Sequence, residues 1–121
     1  MSRFVLLRHE VPAEFGRPSH FDLMLQSESS LLTWEINQIP PSGQSVEAVQ
    51  LPNHRLLYLD YEGPISANRG EVRRVDHGRC DVEHPTVDRV IAHIAGQTLC
   101  GSILLDRVNL EQWRLTYEEH P

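Results

Sequence analysis

The chain of 121 residues has no lysine, and all eleven of its basic residues are arginine. Seventeen acidic residues outnumber them and give a formal net charge of −6. This balance excludes a broad basic surface that would hold a phosphate backbone without regard to its sequence. Any site for an anion must therefore be local, and it must be built from arginine, histidine, backbone N–H groups or a bound metal.

Long hydrophobic runs are also missing. The first residues hold only four consecutive apolar positions, residues 4–7, too few for a signal-peptide core or a membrane span. The only two cysteines, Cys80 and Cys100, have the spacing of neither a redox motif nor a zinc motif. The sequence therefore predicts a cytoplasmic protein with reduced thiols and no membrane partner.

What the sequence does contain is an apolar period of two, which indicates β-strands. Phe21, Leu23 and Leu25 share one face of a segment whose other face carries Asp22 and Met24. About eight to ten such segments, spaced by roughly 8–12 residues, favour a mainly β fold, either a sandwich or a small antiparallel barrel. Residues 1–121 show neither repeat nor linker, so a single domain is expected.

Four stretches receive specific assignments from their composition. Residues 27–30 predict a hairpin turn, and residues 55–61 predict a strand. The triplet at 76–78 predicts a turn between two strands, because it combines aspartate with glycine. Residues 86–95 fit either a strand or one short helix, because their apolar positions also have helical spacing.

The clearest pattern of chemical interest is His20-Phe21-Asp22 within a predicted strand. Residues i and i+2 of a strand point to the same side, so an imidazole and a carboxylate lie next to each other. One or two further ligands would complete a site for a divalent metal, and His9 and His54 are the candidates. The competing interpretation is a polar strand face exposed to solvent.

Two metal chemistries stay open for these residues. Two histidines and one carboxylate with open coordination positions form the ligand set of non-haem iron oxygenases. The same set holds Mn²⁺ or Zn²⁺ as a Lewis acid for phosphoester hydrolysis. The spacing of the ligands is compatible with both.

A second group of polar residues follows in the middle of the chain. In a strand, His54 and Tyr58 would fall on one face, where they would contact an anion or protonate a leaving oxygen. The alternative is a polar pair that lines a barrel without catalysis. Arg69, before Gly70, is a candidate phosphate clamp or else a surface residue.

Six segments of the chain carry a resemblance to a known family. They are RFVLLRH at 3–9, HFDLML at 20–25, Trp34, HRLLYLDYEG at 54–63, RGEV at 69–72 and WRL at 113–115. In this order and spacing they resemble the 3′-phosphoesterase domain of bacterial DNA ligase D. Each segment alone is only moderately specific, but together they cover nearly the whole chain.

The resemblance implies a compact antiparallel β-barrel with one or more short flanking helices, and a site for Mn²⁺, Zn²⁺ or another divalent ion. It implies the removal of a 3′-phosphate or 3′-ribonucleotide from DNA ends. The substrate would be a primer-template, and repair ligases or polymerases would be partners. By position, His9, His20 and Asp22 would be the metal ligands, and His54 and Tyr58 the catalytic residues at the scissile phosphate.

The sequence departs from the family pattern at two phosphate-binding cations. Met24 stands where an arginine is usual, and Asn37 and Gln38 lie where a lysine is usual. Losing one positioned charge at a transition state costs on the order of 10²-fold in rate. Catalysis is therefore weakened unless other arginines replace these cations.

Two arginines are candidates for that replacement. The ten residues between His9 and His20 exceed the short segment usual in the family, and this longer loop contains Arg17. Arg69 is the second candidate. If neither replaces the missing cations, the alternative is a binding module of the same fold that has lost turnover, which the net charge of −6 also favours.

Overall fold

The computed structural model describes residues 2–120, and most of them lie in nine β-strands. Within this range, no helix is long and apolar enough to cross a membrane. The strands are β1 Ser2–Glu10, β2 His20–Ser27, β3 Ser30–Ile36, β4 Gln44–His54, β5 Gly63–Pro64, β6 Glu71–Thr86, β7 Arg89–Gly96, β8 Cys100–Asn109 and β9 Gln112–Glu119.

Eight strands close into an antiparallel barrel in the order β1-β2-β3-β4-β9-β8-β7-β6, with β6 pairing back onto β1. The two-residue strand β5 pairs with the start of β6. The predicted mainly β antiparallel barrel is therefore confirmed. The flanking helices are not confirmed, because residues 2–120 contain only two single-turn 3₁₀ helices, Ala13–Phe15 and Leu56–Leu59.

Strand β1 is buried on both of its faces. Phe4 and Leu6 belong to the cluster that fills the barrel, to which all eight barrel strands contribute. Val5 and Leu7 point to the outer side, yet each is fully removed from solvent. Burial on both sides explains why the apolar run of this strand is unbroken rather than alternating.

The outer side of β1 and β2 is covered by residues 55–70, which we call the cover segment. Leu59 of this segment joins Val5, Leu7 and Met24 in a second hydrophobic cluster. Burying side chains of this size stabilises the fold by about 1.5–3 kcal/mol each. The cover segment is therefore fixed against the barrel wall and can serve as the rim of a site.

The prediction of a strand at residues 55–61 is wrong, because Leu56–Leu59 form a 3₁₀ helix. Side chains three residues apart align in a 3₁₀ helix, so Leu56 and Leu59 both reach the outer cluster. His54 ends β4 and Tyr58 lies in the 3₁₀ helix, so the two do not share a strand face.

The turn predicted at residues 76–78 is also wrong, because β6 runs through it without interruption. Gly78 serves close strand packing, since a Cβ there would lie 2.0 Å from the backbone oxygen of Ala95. Asp76 is buried and accepts hydrogen bonds from the turn between β7 and β8. Turn-type residues therefore stand in the middle of a strand.

Residues 89–96 form a strand rather than the alternative short helix. Val90, Ala92 and Ile94 alternate with exposed or half-buried neighbours and all point into the barrel. Pairing with β6 and β8 on both sides supplies the backbone hydrogen bonds that a helix would have made internally.

Both cysteines are free thiols. Cys80 lies in the interior cluster, where burial raises the pKa of its thiol to about 11. A thiol with this pKa is almost fully protonated at neutral pH and reacts slowly. Cys80 is therefore a packing residue, whereas Cys100 is exposed.

Candidate functional site

The hairpin of β1 and β2 gathers three polar residues on the outer face of the barrel wall. Its register sets His9 opposite His20 and Leu7 opposite Asp22. The pattern His20-Phe21-Asp22 predicts that His20 and Asp22 share a face, and the register adds His9 to them. The three residues lie next to the outer hydrophobic cluster, which contains Leu7.

The three side chains converge on one point. His9 Nδ1 lies 3.6 Å from Asp22 Oδ2, and His20 Nε2 lies 3.4 Å from Asp22 Oδ1. The two imidazole rings are 4.8 Å apart between centroids and meet edge to face at 65°. Among residues 2–120, this is the one group of three histidine, cysteine or acidic side chains gathered closely enough to hold a metal ion.

The remaining nitrogen of each ring is held by a backbone carbonyl. His9 Nε2 donates to the carbonyl of Arg69 at 3.0 Å, and His20 Nδ1 donates to that of Pro18 at 3.2 Å. Because a carbonyl can only accept, each of these nitrogens carries the proton. In the neutral rings, the lone pairs of His9 Nδ1 and His20 Nε2 therefore face Asp22.

Two of these residues are almost completely removed from solvent. His20 is 2% exposed and Asp22 is 5% exposed, and Asp22 Oδ1 has no hydrogen-bond partner. A buried polar atom without a partner costs about 1–3 kcal/mol, and more when it is charged. The alternative of a polar strand face exposed to solvent therefore does not describe this site.

The electrostatics favour charge on both residues. Burial acts to raise the pKa of Asp22, but the neighbouring imidazoles of His20 and His9 outweigh it and lower that pKa. Burial acts to lower the pKa of His20, but Asp22, the Pro18 carbonyl and Glu35 outweigh it and raise that pKa. The carboxylate thus remains an anion that attracts a cation, either a proton on His20 or a metal ion.

The residues present fit a divalent metal ion. Two imidazole nitrogens and a carboxylate oxygen suit zinc, manganese or iron. Ligand atoms that each lie about 2.0–2.2 Å from one ion are about 3.0–3.6 Å apart from one another. The two distances from histidine nitrogens to the nearest Asp22 oxygens, 3.4 and 3.6 Å, lie within this range. One ligand atom from each of the three residues lies within 4.8 Å of the others, and Asp22 Oδ1, which has no hydrogen-bond partner, is a free ligand atom.

Glu35 is a residue of this site that the sequence analysis misses. Its Oε1 lies 3.4 Å from His20 Nε2 and 2.5 Å from Arg17 Nη2. The sequence feature that could have located Glu35 is the hairpin turn predicted at residues 27–30. This turn is confirmed, and Glu28 within it has a φ of 58°. A tight hairpin fixes register, and counting back along both strands places Glu35 opposite Asp22.

Arg69 supports the site through its backbone. Its guanidinium donates to the carbonyl and hydroxyl of Ser66 at 2.8 and 3.0 Å, while its own carbonyl accepts from His9. Gly70 follows at a φ of 102°, and a Cβ there would lie 1.9 Å from the backbone oxygen of Glu10. Glycine is therefore required for the cover segment to reach β1 and hold His9.

The positions at which the resemblance implies cations carry none here. Met24 is buried in the outer hydrophobic cluster, so its side chain packs the wall. Asn37 and Gln38 are exposed in the turn after β3. Arg17 is the arginine that reaches the site by its side chain, through its ion pair with Glu35.

His54 and Tyr58 meet although they lie in different elements. Their rings are 5.6 Å apart between centroids and nearly perpendicular, at 73°. His54 Nδ1 donates to the carbonyl of Pro52 at 2.9 Å, which leaves Nε2 available. All seven predicted site residues line one cavity: His9, Arg17, His20, Asp22, His54, Tyr58 and Arg69.

This cavity has a volume of about 370 Å³, within the range of small-molecule sites. Its walls combine the polar cluster with apolar side chains, of which the sequence analysis singles out only Met24. They are Leu7, Val11, Phe15, Met24, Leu51, Ile65 and Val72. Phe15, in the longer loop before His20, is half-exposed.

Fold and site together define a closed antiparallel β-barrel with a His₂Asp cluster on its outer wall. The family described as the DNA ligase D 3′-phosphoesterase domain matches residues 9–112. The chain therefore belongs to the DNA ligase D 3′-phosphoesterase domain family.

Relatives within this family include much longer proteins. The chain is 29% identical over 119 residues to the "Multifunctional non-homologous end joining protein LigD" of Mycobacterium bovis. It has the same identity to the "Multifunctional non-homologous end joining DNA repair protein LigD" of Mycobacterium tuberculosis. The matches cover 91% of this chain but only 15% of each relative.

Proposed function

We propose that the chain is a divalent-metal-dependent phosphoesterase that removes a 3′-phosphate or 3′-ribonucleotide from DNA ends during end repair. The observation that carries the proposal is the buried Asp22 carboxylate, which has one oxygen without a partner and lies next to two histidines whose other ring nitrogens are fixed. Membership of the DNA ligase D 3′-phosphoesterase domain family supports phosphoester hydrolysis as the chemistry of this site.

His9 Nδ1, His20 Nε2 and Asp22 would hold the ion, with Mn²⁺ the first candidate and Zn²⁺ the second. A bound divalent ion would polarise a phosphoryl oxygen and lower the pKa of a water molecule. The backbone carbonyls of Arg69 and Pro18 keep both histidines in the tautomer that such binding needs. The apolar walls of the cavity limit competing water.

His54 and Tyr58 would act on the scissile phosphate. With Nδ1 donating to Pro52, a protonated His54 has Nε2–H free to donate to a phosphoryl or leaving oxygen. The Tyr58 hydroxyl beside it would donate a second hydrogen bond. Arg17, and Arg69 after release from Ser66, would neutralise the phosphate charge.

The products follow from the balance of atoms. A water oxygen bonds to phosphorus, the bond between phosphorus and the 3′ oxygen breaks, and that oxygen takes up a proton. A DNA end with a 3′-phosphate thus becomes a 3′-hydroxyl end plus inorganic phosphate. A primer-template is the expected substrate, and a DNA ligase or polymerase of end repair would use the 3′-hydroxyl.

The test is release of phosphate from a primer-template that ends in a 3′-phosphate, with Mn²⁺ and separately with Zn²⁺. The wild type should produce the 3′-hydroxyl end in the presence of metal and none with chelator. His20→Ala should lose the activity, whereas His93→Ala, at an exposed histidine of β7, should keep it. Full activity in His20→Ala would reject the assignment of the site.

A binding module that keeps the fold but has lost turnover is the second candidate. It is favoured by the absence of cations at Met24, Asn37 and Gln38 and by the pairing of Arg17 with Glu35. This candidate predicts that the same primer-template binds without release of phosphate at any protein concentration.

A further inference from the structure

We propose that Glu35 is a fourth side chain of the cation site and exchanges its ion pair with Arg17 for the cation. The inference rests on the metal site proposed above. It adds a carboxylate beyond His9, His20 and Asp22, and it states what happens to Arg17 when the site fills.

The first observation is the surroundings of His20. Its Nε2 lies 3.4 Å from Asp22 Oδ1 and also 3.4 Å from Glu35 Oε1. Its Nδ1 is already committed to the Pro18 carbonyl. In a neutral ring the Nε2 lone pair therefore faces two carboxylate oxygens, an arrangement that a cation between them makes favourable.

The second observation is the position of Glu35 in the sheet. Strand register places it directly across from Asp22, so both side chains rise from the outer face at the same level. Its side chain is 21% exposed, while that of Asp22 is 7% exposed. Glu35 is thus at the open edge of the buried cluster, where its flexible side chain can turn towards an ion.

The third observation is the nature of the contact that Glu35 gives up. The side chain of Arg17 is 53% exposed. Ion pairs with such exposed partners contribute little stability, because water solvates the released guanidinium well. Exchange of Arg17 for a divalent cation at Glu35 therefore costs little on the arginine side.

The exchange gives the two charges of the rim different roles. Glu35 would neutralise part of the charge of the ion, and Arg17 would be left at the rim with its N–H donors free. A planar guanidinium of this kind binds a phosphate through two parallel hydrogen bonds. The negative charge of Glu35 in β3 is then compatible with a phosphate substrate.

The experiment is calorimetric titration of Mn²⁺ into the metal-free full chain, with no substrate present. Glu35→Gln keeps the shape of the side chain and should weaken Mn²⁺ binding by about 10-fold or more. Arg17→Ala removes the competing cation and should tighten binding by about threefold. Matched controls at exposed residues of β9, Glu118→Gln and Arg114→Ala, should stay within about twofold of wild type.

Weaker Mn²⁺ binding by Glu35→Gln together with tighter binding by Arg17→Ala is the result that supports the inference. If Glu35→Gln binds Mn²⁺ as tightly as wild type, the inference is overturned while the metal site stands. If Arg17→Ala weakens binding as much as Glu35→Gln does, the ion pair itself supports the site, and the inference is again overturned. Wild type that binds no Mn²⁺ would overturn the proposed metal site together with this inference. Circular dichroism of each variant confirms that it is folded.

Discussion

Asp22 and Asp76 are the two carboxylates that are buried within residues 2–120, and they are held in opposite ways. Asp76 accepts backbone hydrogen bonds from His77, Gln97 and Leu99 at 2.7–2.8 Å. Asp22 has two histidines beside it and one oxygen with no partner. Both lie on barrel strands, and both are at most 5% exposed.

The difference separates a structural carboxylate, Asp76, from Asp22, which we propose to be a metal ligand. Asp76 fixes the turn between β7 and β8, because each of its oxygens accepts N–H groups that would otherwise lack partners. Asp22 leaves binding capacity unused at a place that solvent hardly reaches. Such a group costs stability unless a cation completes it, which is the usual relation between a binding site and the fold that carries it.

The largest expected effect is on Asp76. Asp76→Ala should lower the free energy of unfolding by about 3 kcal/mol, because it leaves several part-buried N–H groups without acceptors. Urea unfolding followed by circular dichroism measures the change. Asp81→Ala, at an exposed residue of the same strand, should change stability by less than about 0.5 kcal/mol. A loss below about 1 kcal/mol in Asp76→Ala would show that the turn needs no carboxylate.

The second effect is the gain in stability from metal at Asp22. Mn²⁺ at about 100 times its dissociation constant should stabilise the wild type by about 2.7 kcal/mol relative to chelator-treated protein. The reason is that the ion binds the folded chain only. Thermal unfolding with and without Mn²⁺ measures this, and Asp22→Asn should show no gain. An equal gain in the variant would place the ion elsewhere.

The third effect concerns the arginines around Asp22. Arg17→Ala should lower kcat/KM for a 3′-phosphate primer-template by about 10- to 100-fold, since a phosphate-binding charge is lost. Arg69→Ala should lower it less, because the Arg69 guanidinium is bound to Ser66. Steady-state kinetics on both variants provide the comparison. Unchanged kinetics in both would mean that neither arginine replaces the missing cations.

The smallest effect is the pH dependence of the metal-free protein. Because the pKa of His20 is raised in the folded protein, charged His20 stabilises the fold fully below about pH 6.5, and this stabilisation is lost as pH rises through the folded pKa. Because the pKa of Asp22 is lowered in the folded protein, ionised Asp22 stabilises the fold above about pH 4, and this stabilisation is lost as pH falls through the folded pKa. Asp22→Asn should therefore cost about 1 kcal/mol near pH 5 and less at pH 8. Unfolding in urea at the two pH values measures it, and a larger cost at pH 8 would contradict this balance.

The comparison also shows what the sequence can predict. The i, i+2 spacing of His20 and Asp22 and the turn at 27–30 are local patterns, and both predict the structure correctly. The turn predicted at Asp76 is wrong because the partners that hold this carboxylate inside the fold, Gln97 and Leu99, lie more than twenty residues away along the chain. No local pattern contains that information.

The cover segment shows the same limit. A period of two sets Leu57 and Leu59 on one face and Leu56 on the other. In the structure it is instead Leu56 and Leu59, three residues apart, that pack against the outer cluster. The choice between the two spacings is made by the apolar outer face of β1 and β2, which the cover segment has to bury. Glu35 lies between these local and non-local cases. Its position opposite Asp22 depends on strand pairing, but the register of that pairing follows from a turn visible in the sequence.

The most direct test of the account is calorimetric titration of Mn²⁺ into three metal-free proteins: wild type, Asp22→Asn and Asp76→Asn. It is done at a temperature where circular dichroism shows all three to be folded. We expect wild type and Asp76→Asn to bind one ion with similar affinity, and Asp22→Asn to bind at least 100-fold more weakly, since it loses a direct ligand. Equal binding by wild type and Asp22→Asn would contradict the assignment of Asp22 as the functional carboxylate.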